Sequence, residues 1–275
     1  MFSPYYASQR RYGWSHPENH CAMNIALYGD AGQKWAMTER GEPSVHRDAQ
    51  ALQIGPSRMS WNGTSLTVDV DEFTAPFPSR IRGTIKLHPH AVTDRAFPVD
   101  ADAQHNWWPI APVARVEVQL DRPGLRWSGS GYLDSNSGTV PLERTFKRWD
   151  WSRTVEDDST AVLYDVTSRT GDTSSLAMRF AKDGTATDMD LPPPARLRRT
   201  LWGVERSTRA ETGQASVLKT LEDGPFYSRS IVSTRLGGKP VTAIHESLSL
   251  ERFGRLWVQG LLPFKMPRRR GRPQP

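Results

Sequence analysis

Short segments of alternating apolar and polar residues, each closed by a turn signal, recur along nearly the whole chain, and this pattern most limits what it can fold into. Examples are NIALYG (24–29), KWAMTERG (34–41), TSLTVDVDEF (64–73), RIRGTIKL (80–87), ARVEVQLD (114–121), TAVLYDVTSR (160–169), SLAMRFAKDG (175–184), LWGVERST (201–208), YSRSIVSTRL (227–236) and TAIHESLSL (242–250). A period of two in runs rich in β-branched and aromatic residues marks strands with one buried face. Asn62-Gly63, Asp183-Gly184 and Gly237-Gly238 supply turn chemistry between them. Strands at this spacing predict antiparallel sandwiches or barrels, with no long helices. The stretch FPVDADAQHNWWPIAP (97–112) has three prolines and no alternation, so it reads as a connection between domains. The expectation is an all-β protein of two β-barrel-like domains, residues 1–108 (connection included) and 109–264, followed by a basic tail, 265–275.

Composition narrows the function classes. With 37% hydrophobic and 24% charged residues over 275 positions, the chain is too balanced for disorder and too poor in apolar runs for a membrane-spanning bundle. The single Cys21 has no partner for an internal disulfide, and the opening MFSPYYASQRRYGWSH has no continuous apolar run of the secretory kind. These features predict a cytoplasmic setting. The formal charge is +6, but Lys265, Arg268, Arg269, Arg270 and Arg272 supply +5 of it without an acidic neighbour in the tail. A nearly neutral body argues against a nucleic-acid binder, which spreads its basic residues over a face or groove. The tail follows RLWVQGLLPF (255–264), where Trp257, Leu261, Leu262 and Phe264 set apolar bulk beside the cations. This predicts peripheral attachment to anionic lipid, each basic residue contributing about 1 kcal/mol. A frayed, solvated terminus is the competing reading of the basic run, and a strand returning to the core would look similar.

Sequence signatures of nucleotide, zinc-protease and serine-triad sites are missing. His16 with His20 and His88 with His90 lack a third ligand nearby, so no metal site is expected. Five of the ten tryptophans are Trp107, Trp108, Trp127, Trp149 and Trp151. Such crowding beside a domain connection suggests the wall of an apolar cavity, with Trp108 and Trp127 as substrate-binding residues. Two pairs, His105 with Trp107 and Tyr132 with Asp134, sit at i and i+2, which places each pair on one face of an extended segment. Asp134 lies in GSGYLDSNSG, and the residues alone allow two readings: a carboxyl group in an apolar setting, or an Asx-rich turn.

The strings FSPYYASQRR (2–11), NHCAMNIALYG (19–29), KWAMTERG (34–41), GYLDSNSG (131–138), PLERTFKRWDWSR (141–153) and LLPFKMPR (261–268) resemble the carotenoid 1,2-hydratases, also called hydroxyneurosporene synthases. The resemblance spans nearly the whole chain and implies two lipocalin-like barrels. Because members carry further strands ahead of the FSPYY-like segment, it also implies a first barrel lacking N-terminal strands. It implies hydration of the terminal C1–C2 double bond of an acyclic carotenoid such as neurosporene or lycopene, without a cofactor. The family's functional residues match His105, Trp107, Tyr132 and Asp134 in type and order, which favours the catalytic reading of Asp134. On this reading Asp134 is the general acid, Tyr132 orients it, Trp107 offers a π face to a developing cation and His105 activates water or relays a proton. The same fold would also serve a non-catalytic carrier of hydrophobic ligands, or a pericyclase or isomerase.

Overall fold

A computed structural model describes residues 2–13, 16–29 and 33–269. It is all-β, as the alternation predicts. The runs at 24–29, 64–73, 80–87, 160–169, 175–184, 227–236 and 242–250 all contain strands. Burial follows the period of two most cleanly in Tyr227–Leu236, where every second side chain from Ser228 is buried. The three expected turns form as well: Gly63, Gly184, Gly237 and Gly238 all take positive φ, and Asn62 Oδ1 accepts from the backbone N–H groups of Thr64 and Ser65. Helices are short, the longer ones being Pro4–Arg11 and Leu256–Lys265. Among the described residues no helix is long and apolar enough to cross a membrane.

The chain divides into two compact units, each discontinuous in sequence, where continuous spans 1–108 and 109–264 were expected. The first comprises 1–89, 115–131 and 259–275; the second comprises 90–114 and 132–258. The division is interleaved because one long hairpin, His105–Arg122 and Leu125–Gly138, contributes residues to both. Residues 105–112, expected as connection, form the start of that hairpin. His105, Trp107, Pro109 and Ala111 are buried, alternating with the more exposed Asn106, Trp108 and Ile110. The prolines disguised a strand, since proline is tolerated there wherever its missing N–H faces no partner.

In the first unit, Met23, Ile25, Ala36, Val70, Ile81, Val118 and Leu120 form a buried cluster. Gly83 allows the hairpin to approach: a Cβ there would meet Gln119 O at 2.3 Å. The same unit ties down part of the basic tail. Arg268 is ion-paired with Glu39, which also accepts from Ser3 Oγ and lies 2.8 Å from His20 Nδ1. Arg268–Arg269 pairs in parallel with Glu39–Arg40. Arg268 is therefore an internal counter-ion, not a solvated cation; Arg270 and Arg272 lie outside the described residues.

The second unit is built on a seven-stranded antiparallel sheet. Its order is Ala186–Asp188, Thr173–Ala181, Ser159–Ser168, Phe146–Val155, Lys239–Ser249, Tyr227–Leu236, Ser216–Asp223. Phe146–Val155 lies fourth in the order and sends Trp149, Trp151 and Arg153 to one face, Asp150, Ser152 and Thr154 to the other. LWGVERST yields a strand only from Arg206, within Arg206–Arg209. RLWVQGLLPF is helical, not a returning strand: Val258, Leu262 and Met266 are buried at a spacing of four.

Candidate active site

Asp134 lies within the strand Leu125–Gly138, not in an Asx turn. Its Oδ2 accepts two hydrogen bonds, from Trp107 Nε1 at 2.9 Å and from the Tyr132 hydroxyl at 3.0 Å. No hydrogen bond to Oδ1 is made among the described residues. Tyr132 and Asp134 share a face because they are two apart on one strand, and Trp107 comes from the other strand of the hairpin. The carboxyl group is partly buried. Burial raises its pKa and so does the nearby charge of Glu246, while the Trp107 and Tyr132 hydrogen bonds and the Arg153 charge pull it down; the net shift is upward. The phenol of Tyr132 is driven well above its ordinary range, first by burial and then by the charge of Asp134. Tyr132 therefore acts as a donor here.

The remaining expected residues divide. Trp107 is fully buried, its ring packed by Phe97, Tyr164 and Phe180 at centroid distances of 5.6, 5.5 and 5.9 Å. Its contribution at Asp134 comes through Nε1. His105 lies on the same face as Trp107 and is buried, but its ring bonds elsewhere. Nε2 is 3.0 Å from the Val140 carbonyl, Nδ1 is 3.5 Å from Asp100 Oδ2, and its backbone N–H donates to Asp100 Oδ1. Gly138 makes room for it, since a Cβ there would meet His105 Cδ2 at 2.6 Å. Trp108 is directed away and donates Nε1–H to Thr93 O. Trp127 is half exposed and belongs to the first unit. Trp149 is buried against Tyr164 and Phe146. Several of the tryptophans thus fill space instead of lining it, and two clefts of this unit, around Arg179 and around Arg148, do not include Asp134.

Four further residues complete the surroundings. The Trp151 ring lies 5.5 Å from that of Tyr132, and its buried Nε1–H has no hydrogen-bond partner among the described residues. The Arg153 guanidinium sits 5.0 Å over the Tyr132 ring. Tyr164 donates to Asn136 Oδ1 at 2.9 Å. Glu246 is ion-paired with Arg229 at 2.6 Å. Register explains the grouping: Trp151 is opposite Tyr164 on one side and Glu246 on the other, so all three share a face of the sheet. Trp151 was among the crowded tryptophans. Period two in RWDWSRTV signals Arg153 beside it, whereas nothing local signals Tyr164 or Glu246.

The opposite face holds Asp150, Ser247 and His245, the residue types of a hydrolytic triad, but not its geometry. His245 Nε2 meets Ser247 Oγ at 3.0 Å and Asp150 Oδ1 at 3.7 Å through one nitrogen, while Nδ1 has no partner among the described residues. A triad needs the carboxylate on the other nitrogen. Burial and the charges of Arg206 and Arg148 push the His245 pKa down to about 3, so the ring is neutral. No group of three metal-ligating side chains occurs among the described residues.

A sequence profile described as "Carotenoid hydratase CrtC" matches residues 1–274. The acyclic carotenoid 1,2-hydratase of Thiocapsa roseopersicina is 54% identical over 270 residues, a match covering 98% of this chain and 67% of that protein. The enzyme of the same name from Rubrivivax gelatinosus is 47% identical over 273 residues, with the same two coverages. Among solved structures, an AttH-type protein from Nitrosomonas europaea superposes with a TM-score of 0.55 at 13% identity, covering 82% of this chain and 80% of that one. At that identity the likeness concerns the fold.

Proposed function

The chain belongs to the carotenoid hydratase CrtC family and is a hydratase, and from this premise we propose that it adds water across the terminal C1–C2 double bond of an acyclic carotenoid, with Asp134 as the acid. The observation that carries the reading is the one-sided hydrogen bonding of Asp134. With Trp107 and Tyr132 both donating to Oδ2, the acidic proton of the neutral carboxyl belongs on Oδ1, the oxygen left to meet the substrate. Burial moves the Asp134 pKa upward, the direction that favours the protonated form an acid needs.

The steps balance with water as the only co-reactant. The π electrons of the alkene take the proton from Oδ1 at C2, leaving a tertiary cation at C1 and a carboxylate. The two donors on Oδ2 stabilise that carboxylate as charge develops, the situation in which preorganised donors contribute most. A water oxygen bonds to C1, and the resulting oxonium returns a proton to Asp134. Tyr132, bonded to the carboxyl group, and Trp151, whose ring lies beside that of Tyr132, are half-buried aromatic rings; Trp107 acts as a positioning donor, its ring enclosed by its own neighbours. His105, held by Asp100 and Val140, fixes the strand that carries Trp107.

A long hydrocarbon of this kind dissolves in lipid and not in water, so we place substrate capture at an anionic membrane surface. Turnover of lycopene in water enriched in heavy oxygen tests the reaction. One heavy oxygen per hydrated end is expected; a product with no added oxygen indicates isomerisation, and bound but unchanged carotenoid indicates a carrier.

A further inference from the structure

The helix Leu256–Lys265 carries no charged side chain before Lys265. Val258, Leu262 and the following Met266 are buried and account for how it packs. The opposite stripe is apolar too. Leu256, Trp257, Leu261 and Phe264 are 72%, 45%, 40% and 69% exposed. Leu201 and Trp202 join them: Leu201 is almost wholly exposed, and Trp202 stacks on Trp257 with centroids 6.3 Å apart and planes 19° apart. Arg252 holds this pair outward, donating to the Trp202 carbonyl at 2.7 Å and to the Pro225 carbonyl at 2.7 Å, with its guanidinium 5.4 Å from the Trp257 ring. Trp202 and Trp257 thus form one exposed pair, the helix itself presents Leu256, Trp257, Leu261 and Phe264 on a single stripe, and a helix apolar on both stripes calls for an apolar neighbour on each.

Charge selects the neighbour. From Glu251 to Pro275 there are seven basic residues and one acidic; leaving out Arg268, which Glu39 neutralises, the segment still carries +5. Arg252 and Arg255 precede the helix, Lys265 ends it and Arg269 follows. Tryptophan, leucine and phenylalanine flanked by long cations make the pattern of a helix lying in a lipid headgroup region, where the cationic heads reach phosphates from apolar stems. We propose that the outward stripe of this helix, with Leu201 and Trp202, is the surface by which the protein docks on an anionic lipid bilayer. The preference for lipid over a protein partner rests on the carotenoid reading; the test uses no carotenoid, so the two fail separately.

Sedimentation is measured with vesicles of equal parts phosphatidylglycerol and phosphatidylcholine, and with phosphatidylcholine alone. The intact protein binds the mixed vesicles more tightly, with a blue shift of tryptophan emission. The combined variant Leu256→Ser, Trp257→Ser, Phe264→Ser binds both at least tenfold more weakly, with unchanged melting temperature. The variant Arg255→Gln, Lys265→Gln, Arg269→Gln loses only the preference for the anionic vesicles. Removing residues 270–275 leaves most of the binding, because the helix supplies the contact. Absence of binding by the intact protein, or equal binding by the triple-serine variant, overturns the proposal. So does a dimer in solution that the serine variant dissociates while vesicles bind neither form, which would make this stripe an interface between copies.

Discussion

Two carboxyl groups of the second unit, Asp134 and Asp150, sit in environments that both raise the pKa by burial, yet they are prepared for opposite tasks. Asp150 is held through both oxygens. Its Oδ1 accepts from Ser247, and its Oδ2 accepts from Ser207 at 3.1 Å and pairs with Arg148 at 2.7 Å. Asp134 has two donors on one oxygen and, among the described residues, none on the other. A carboxyl group with every lone pair occupied and a counter-ion in place stabilises structure; one held on a single side is oriented while its second oxygen stays available for chemistry. Burial and pKa direction alone would not have told the two apart.

Exchanging each carboxyl for its amide should separate rate from stability. Asp134→Asn is expected to lower turnover by at least about 10²-fold, the typical contribution of a positioned acid, because an amide cannot protonate an alkene. A raised folded-state pKa means that the folded protein binds more protons than the unfolded one, so stability falls as pH rises through that pKa. The melting temperature of Asp134→Asn near neutral pH should therefore be unchanged or higher. Asp150→Asn should do the reverse, costing about 2 kcal/mol because an amide cannot accept from Ser247, Ser207 and Arg148 together, with the rate per folded molecule nearly intact. Chemical denaturation and single-turnover kinetics on both variants check this.

The pH profile sharpens the comparison further. The Tyr132 hydrogen bond lowers the Asp134 pKa and the Glu246 charge raises it, so their removal should move the alkaline limb in opposite directions. Tyr132→Phe is expected to shift the limb to higher pH while lowering the plateau about tenfold, because the carboxylate formed on proton transfer loses a donor. Glu246→Gln should shift it to lower pH with a smaller change in plateau. Limbs moving the same way would assign the limb to another group. On the opposite face, His245→Gln should leave the profile unchanged, since that ring is already neutral throughout the range.

How much of this was legible in the sequence follows from where each signal resides. Strands with one buried face announce themselves by alternation, and the pair Tyr132 and Asp134 was readable because both sit on one strand. The start of the His105–Arg122 strand was not, since its prolines and adjacent tryptophans hide the alternation. The helix Leu256–Lys265 was obscured because apolar residues on both stripes leave no period to detect. Glu246 and Tyr164 reach Asp134 only through strand register. Arg268 is separated by 229 residues from Glu39, its partner. Such pairings are decided by tertiary structure, and no local pattern encodes them.

In the proposed mechanism the proton comes from a solvent-exchangeable acid and goes to one carbon. Hydration of lycopene in heavy water by the wild-type protein, read by mass spectrometry and NMR of the product across a pH series, tests this most directly. The prediction is one deuterium at C2 of each hydrated end, formed at a rate that falls as pH rises through the elevated pKa of Asp134. A product without deuterium at C2, or a rate that climbs with pH over that range, would contradict it.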